Sequence, residues 1–252
     1  MVRSLVHPHS FKRFTSVALI AMDLRRVDVI AVAGTEEPKS KAVAADRRTG
    51  LVPSGDLSAL LAVFNGGFQA QHGHYGMRVG DDLFLPAAVG SCTFALLRDG
   101  SAAIGTWESL AGRESTMASW RQTPGCLLEQ GATNPALDSA GHKWGLSIER
   151  NLEIRRSAVG IDSTGSVLFF GVGEEVAPKD IAVAMKAAGA VSAAQLDINW
   201  SYTRFLIYGK AATGEAPRVV STLLPKMKYG QHEYVSRAAM RDFYYVRRKQ
   251  QP

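Results

Sequence analysis

Two short stretches hold groups able to do chemistry. Asn65-Gly66-Gly67-Phe68 closes an apolar run, and paired glycines let backbone amides approach a ligand and form an anion-holding concavity. Leu196-Asp197-Ile198-Asn199 puts a carboxylate inside an apolar, strand-like run, where an unpaired charge would be costly. Asp197 therefore calls for a partner, and Arg155 or Arg156, just before the run Ser157–Ile161, is the candidate. Each stretch has a plainer reading: a structural turn for the glycines, and a structural ion pair for the aspartate.

The elements that must position these groups are mostly of β type. Val17–Met22 and Val27–Ala33 read as two strands or one long bent strand, and 35–56 reads as loop. Leu57–Ala62 reads as a short helix with Asp56 as N-cap, leading into the strand that ends at Asn65. Short strand candidates with Gly or Asp punctuation fill Tyr75–Ile104, and Asp99-Gly100 makes a hairpin turn. Ser157–Asp162 and Val167–Gly171 form a second hairpin; residues 111–145 give no clear pattern. One helix is well marked. Pro178 suits its first turn, Ile181, Ala184, Met185 and Ala188 share a face, and Gly189 ends it. Ala193–Ile198 and Phe205–Tyr208 follow as strands. The class expected is α+β, a single domain with mixed, mainly antiparallel sheets and few helices.

Composition sets the bounds. With 252 residues, 46% hydrophobic and 21% charged, the chain has ordinary globular character, not that of a disordered or coiled-coil chain. No run approaches the ~20 apolar residues of a membrane-spanning helix. Lys12-Arg13 and Phe14–Met22 imitate the start of a signal peptide, but Asp23, Arg25, Arg26 and Asp28 interrupt it. Cys92 and Cys126 leave open both a single disulfide and two buried thiols. The net charge of +6 lies wholly after Ala216, where eight basic residues face Glu233 and Asp242. The organisation expected is an N-terminal extension (1–16), a domain (17–246) and a basic tail (247–252) ending the chain with Arg247-Arg248-Lys249. Such a tail could attract an anionic polymer, though a solvated terminus is the simpler reading, and no specific nucleic-acid partner is indicated.

Taken in order, these motifs resemble a known family. Asn65-Gly66-Gly67-Phe68 looks like N-G-G-F-F. Arg156-Ser157-Ala158-Val159-Gly160-Ile161 looks like R-T-A-x-G-x, and Ala194-Gln195-Leu196-Asp197 looks like the start of A-x-N-L-D-G-G-G-S. The family is that of the phosphodiester glycosidase domain, related to the enzyme that uncovers mannose 6-phosphate. The resemblance spans roughly Val17 to Tyr208. It departs where the family has L-D-G-G-G-S and this chain has Leu196-Asp197-Ile198-Asn199-Trp200-Ser201.

The resemblance implies hydrolysis of the glycosidic bond of a sugar-1-phosphodiester or related glycan conjugate. Asp197, Arg156 and Asn65 would be the catalytic group. Arg156 and the Gly66-Gly67 amides would hold phosphoryl oxygens, Asp197 would act as acid/base or stabilise charge at the anomeric carbon, and Asn65 would bind sugar hydroxyls. His74, with His72, could shuttle protons, and Asn199, Trp200 and Ser201 would line the substrate. No cofactor is established; a divalent ion near Asp197 is conceivable, but no ligand spacing here fixes one. By the same resemblance the protein is expected to be exported, periplasmic or extracellular, while the interrupted signal-like stretch leaves a cytoplasmic location open. The alternative is a non-catalytic carbohydrate or sugar-phosphate binding domain, with Trp200 and Tyr202 stacking on a sugar.

Overall fold

Alternating and continuous apolar runs fold here into three antiparallel sheets that share one core. The computed structural model describes residues 1–147, 150–210 and 215–249. The first sheet has seven strands, in the order β1 (Val2–Val6), β2 (Val17–Asp23), β13 (Val167–Val176), β12 (Ile154–Ile161), β14 (Ser192–Ile198), β10 (Leu128–Glu129) and β11 (Ala132–Thr133). The second runs β16 (Val219–Thr222), β15 (Phe205–Tyr208), β4 (Leu60–Asn65), β17 (Phe243–Arg248) and β3 (Val27–Val32). The third runs β6 (Asp82–Leu85), β5 (Met77–Val79), β9 (Met117–Thr123), β7 (Cys92–Leu97) and β8 (Ala102–Thr106).

The sheets meet on aromatic rings. Phe170 of the first sheet and Tyr244 of the second each lie 5.1 Å from Phe64, and Phe94 of the third lies 5.1 Å from Tyr244. Such contacts add about 0.5–1.5 kcal/mol per pair to the burial itself. The helix Pro178–Ala187 covers the outer face of the first sheet with Ile181, Ala184 and Met185. It approaches closely because Gly160 and Gly171 lie beneath it: a Cβ on Gly171 would come within 2.7 Å of Met185 Cε. Asp180 accepts the Ala177 amide at 2.8 Å, and Gly189 follows at a φ of +101°, so the helix has the start and stop its sequence predicts.

The structure departs from some expectations and decides others that the sequence leaves open. Val17–Met22 and Val27–Ala33 are strands, but of different sheets. Leu57–Ala62 is not a helix: a 3-10 turn spans Ser54–Ala59 and β4 begins at Leu60, because this segment is central in its sheet, between β15 and β17. Asp56 caps nothing there; it meets Tyr245 Oη and Arg247. The stretch expected as a free basic tail is folded through Lys249. Arg247 pairs with Asp28 and Asp56, and Lys249 donates to Leu24 O. Within the expected N-terminal extension, β1 pairs along β2. Cys92 and Cys126 form a disulfide, joining the start of β7 to the segment before β10.

Candidate functional site

Strand ends from the first two sheets, with Tyr75 and Pro124 beside β5 and β9 of the third, gather around a cavity of about 970 Å³. Its lining comes from Phe68 and His72 after β4, the segment His142–Ser147, Arg155 on β12, Glu174 on β13, Asp197–Tyr202 at the end of β14, and Arg241 before β17.

Asp197 is the buried carboxylate at this cavity. Its backbone amide donates to Gly66 O at 3.0 Å, so the end of β14 is tied to the glycine turn. Its Oδ1 accepts the Ile198 amide at 2.9 Å and its Oδ2 meets Arg241 Nη1. The partner is thus neither Arg155 nor Arg156 but an arginine 44 positions on. Burial pushes the Asp197 carboxyl up to about 6; Arg241 and the Ile198 amide act against that rise, and the charge of Asp242 adds to it.

Arg156 does not reach the cavity. Its guanidinium is fully buried and donates to the carbonyls of Trp144, Gly145, Leu152 and Val176 and to Gln195 Oε1. Loss of solvent lowers its pKa to about 9, which leaves it charged at neutral pH. Trp144 is itself anchored by its indole N–H on Gly125 O at 2.7 Å, and Gln195 donates to its carbonyl at 2.6 Å. Arg156 therefore holds the segment that carries His142 and Lys143 to the rim. Arg155 is the cavity arginine of the pair, tied to Glu174 and donating to Trp200 O at 2.9 Å.

The glycine turn is occupied from within. The Gly66 amide donates to Asp242 O and the Gly67 amide to Asp242 Oδ2, both at 2.9 Å. Arg121 Nε reaches the same Oδ2 at 3.0 Å in a buried pair. A Cβ on Gly66 would stand 2.2 Å from Asp242 Oδ2, so the turn needs glycine to admit a carboxylate of this chain. Asn65 is also inside: it donates to Ser157 Oγ at 2.9 Å and accepts the Arg204 amide at 3.1 Å, while Ser157 Oγ donates to Asp197 O at 2.9 Å. Asn65 and Asp197 thus share one hydrogen-bonded network, but only Asp197 faces the cavity.

Of the other expected residues, Asn199, Trp200 and Ser201 line the cavity, whereas His74 does not; His72 and His142 do. Asn199 has a φ of +78°, a left-handed conformation that asparagine tolerates better than most residues, so the turn is made without glycine. Ile198 packs its Cδ1 against Gly145, filling space a glycine would leave open. Trp200 (56% exposed) carries Lys228 over its ring at 4.4 Å, and the Arg241 guanidinium lies 3.3 Å over Tyr202. Among the described residues no group of three His, Cys, Asp or Glu side chains is arranged to hold a metal ion. Arg241, Asp242 and Arg121 carry no motif, and their neighbours in sequence do not reveal them.

This arrangement can be set beside known proteins. The phosphodiester glycosidase (NAGPA) family model matches residues 58–214. The catalytic domain of zebrafish N-acetylglucosamine-1-phosphodiester alpha-N-acetylglucosaminidase, auto-inhibited by its pro-peptide, superimposes with a TM-score of 0.59 at 16% identity, covering 98% of this chain and 82% of that one. A hypothetical protein from Synechocystis gives 0.50 at 10% identity, over 98% of this chain and 61% of that one. No curated protein matches in sequence. The structural likenesses show the fold; the family model, covering more than half of the chain, shows that it belongs to the phosphodiester glycosidase family.

Proposed function

We propose that the protein is a hydrolase that cleaves the glycosidic bond of a sugar-1-phosphodiester or a related glycan conjugate. The observation that carries this reading is Asp197: a buried carboxyl, raised to about 6, facing a cavity lined by Arg155, Arg241 and Lys143. A carboxyl titrating near neutrality can hold or give a proton at the reacting oxygen, while the cations suit a phosphodiester anion. Water adds to the anomeric carbon, the bond from that carbon to the phosphoryl oxygen breaks, and free sugar and a phosphomonoester are released. Trp200 and Tyr202 offer faces for the sugar. Asn65, Ser157 and the glycine turn hold Asp197, and Arg156 holds the rim, instead of touching substrate.

Export fits the Cys92–Cys126 disulfide, a bond that persists in oxidising compartments. Among the described residues no helix is long and apolar enough to cross a membrane. A carbohydrate-binding domain without turnover is the second reading, favoured by Ile198, whose side chain stands where the family has glycine. Incubation with a panel of sugar-1-phosphodiesters, reading free sugar and phosphomonoester, separates the two: binding without release of sugar excludes the hydrolase.

A further inference from the structure

Five arginines stand near this end of the sheets, and four are each held by two or more protein acceptors, Arg204 by Glu233 and Ser201 O. Arg121 and Arg156 spend their donors on main-chain carbonyls and buried side chains, and Arg155 on Glu174 and Trp200 O. Arg241 differs. It lines the cavity, stacks on Tyr202, and among the described residues makes one hydrogen-bonded contact, with Asp197 Oδ2. A guanidinium has five N–H donors, so most of this one's are directed to no protein acceptor.

We infer that Arg241 is an exchangeable anion receptor: an entering phosphodiester takes its guanidinium from Asp197, and Asp197 takes up a proton from solvent on the Oδ2 so released. This rests on the phosphodiester reading above and adds the order of events at the same site. Asp197 Oδ1 keeps the Ile198 amide, which marks Oδ2 as the oxygen that gains the proton. Asp197 is buried, and Arg241 is the main group that opposes its protonation; Asp242, 4% exposed and fixed by Gly67 and Arg121, adds negative charge nearby. When the ligand's charge is shared with Arg241, burial and Asp242 are left to act. The bound state then holds a neutral acid ready to donate to the oxygen that leaves the sugar. The entering anion recruits its own catalyst.

Other titratable groups share the cavity. Asp197 faces Arg241 and Asp242 from the segment before β17, and Arg155 with Glu174 and Glu175 from β12 and β13. Across the cavity stand His72, His142 and Lys143. These side chains can also meet an entering anion, so the test must separate their contribution from that of Asp197.

The probe is dimethyl phosphate, a monoanion that does not titrate between pH 4 and 9. The Asp197 carboxyl is followed by carbon NMR in the intact protein, assigned by the resonance missing from Asp197→Asn. At saturation its midpoint should rise by about one unit or more, since a cationic neighbour holds a carboxyl down by about 1–3. Linkage then tightens binding about tenfold from pH 8 to pH 5. Asp197→Asn should lose that part of the dependence, and Arg241→Gln should bind at least about tenfold more weakly. An unmoved Asp197 midpoint with the probe bound overturns the inference, as does full pH dependence in Asp197→Asn, which would assign it to another group of the cavity. In either case, cleavage of sugar-1-phosphodiesters would leave the proposed function standing. Failure to bind the probe together with failure to cleave overturns both.

Discussion

Replacing Arg156 with methionine separates a scaffold role from a catalytic one. Methionine keeps most of the stem volume and removes every donor. Five acceptors lose their partner: the carbonyls of Trp144, Gly145, Leu152 and Val176, and Gln195 Oε1. A stranded buried acceptor costs about 1–3 kcal/mol. Leu152 is exposed and its carbonyl can turn to water, Trp144 O keeps the Gln195 amide, and removing a buried charge returns part of its desolvation cost. The net loss is therefore about 3–5 kcal/mol, as for other broken buried charge networks. That is a large share of the 5–15 kcal/mol of a typical domain. Urea unfolding with the disulfide intact should show it as a lower midpoint at unchanged slope. Turnover, measured where the variant is still folded, should fall mainly through KM, because the loosened segment carries His142 and Lys143. A variant that unfolds within about 0.5 kcal/mol of the parent yet loses kcat would refute this reasoning and return Arg156 to the substrate.

Asp197→Asn should abolish cleavage and change the pH profile of stability. The folded carboxyl titrates near 6 against 3.8 unfolded, so the fold binds more protons in that window and loses about 3 kcal/mol as pH rises through it; the asparagine variant should lack this slope in urea titrations from pH 3.5 to 7. At Asn199 glycine should be accepted and alanine should cost about 1 kcal/mol, because φ is +78°; equal unfolding midpoints would contradict that. Reducing Cys92–Cys126, separated by 34 residues, should lower stability by about 3–4 kcal/mol in thermal or urea unfolding, and an unchanged midpoint would count against the disulfide.

Local signals made much of the fold readable. The helix Pro178–Ala187 has proline at its start, an apolar stripe and a closing glycine, and the hairpins at Asp99-Gly100 and Asp162–Gly165 have turn residues that accept their backbone. Where tertiary pairing decides, sequence is weaker. Leu57–Ala62 has helical composition, but Leu60 begins a strand clamped between β15 and β17. Arg248 is exposed as expected, but the charges of Arg247 and Lys249 look solvated only until Asp28 and Asp56, some 190 to 220 positions away, come alongside.

The site divides along the same line. Asp197 was legible because a carboxylate in an apolar strand must have a partner, but which partner it takes is a fact of topology: β17 lies beside β4, which brings Arg241 and Asp242 against the glycine turn. Those two adjacent residues act on opposite sides of one turn. Asp242 fills the amide cradle that paired glycines would offer a ligand, and Arg241 holds the carboxylate that Gly66 O orients. An anion-binding motif read from sequence can therefore be satisfied by the chain's own aspartate, and the capacity for an external anion then moves to the arginine one residue away. Ile198 and Asn199 stand where the sequence resemblance would place glycines. Asn199 makes a left-handed turn, so the end of β14 presents Asp197 to the cavity, while Ile198 fills space beside Gly145. The carboxylate and its cation face the cavity together.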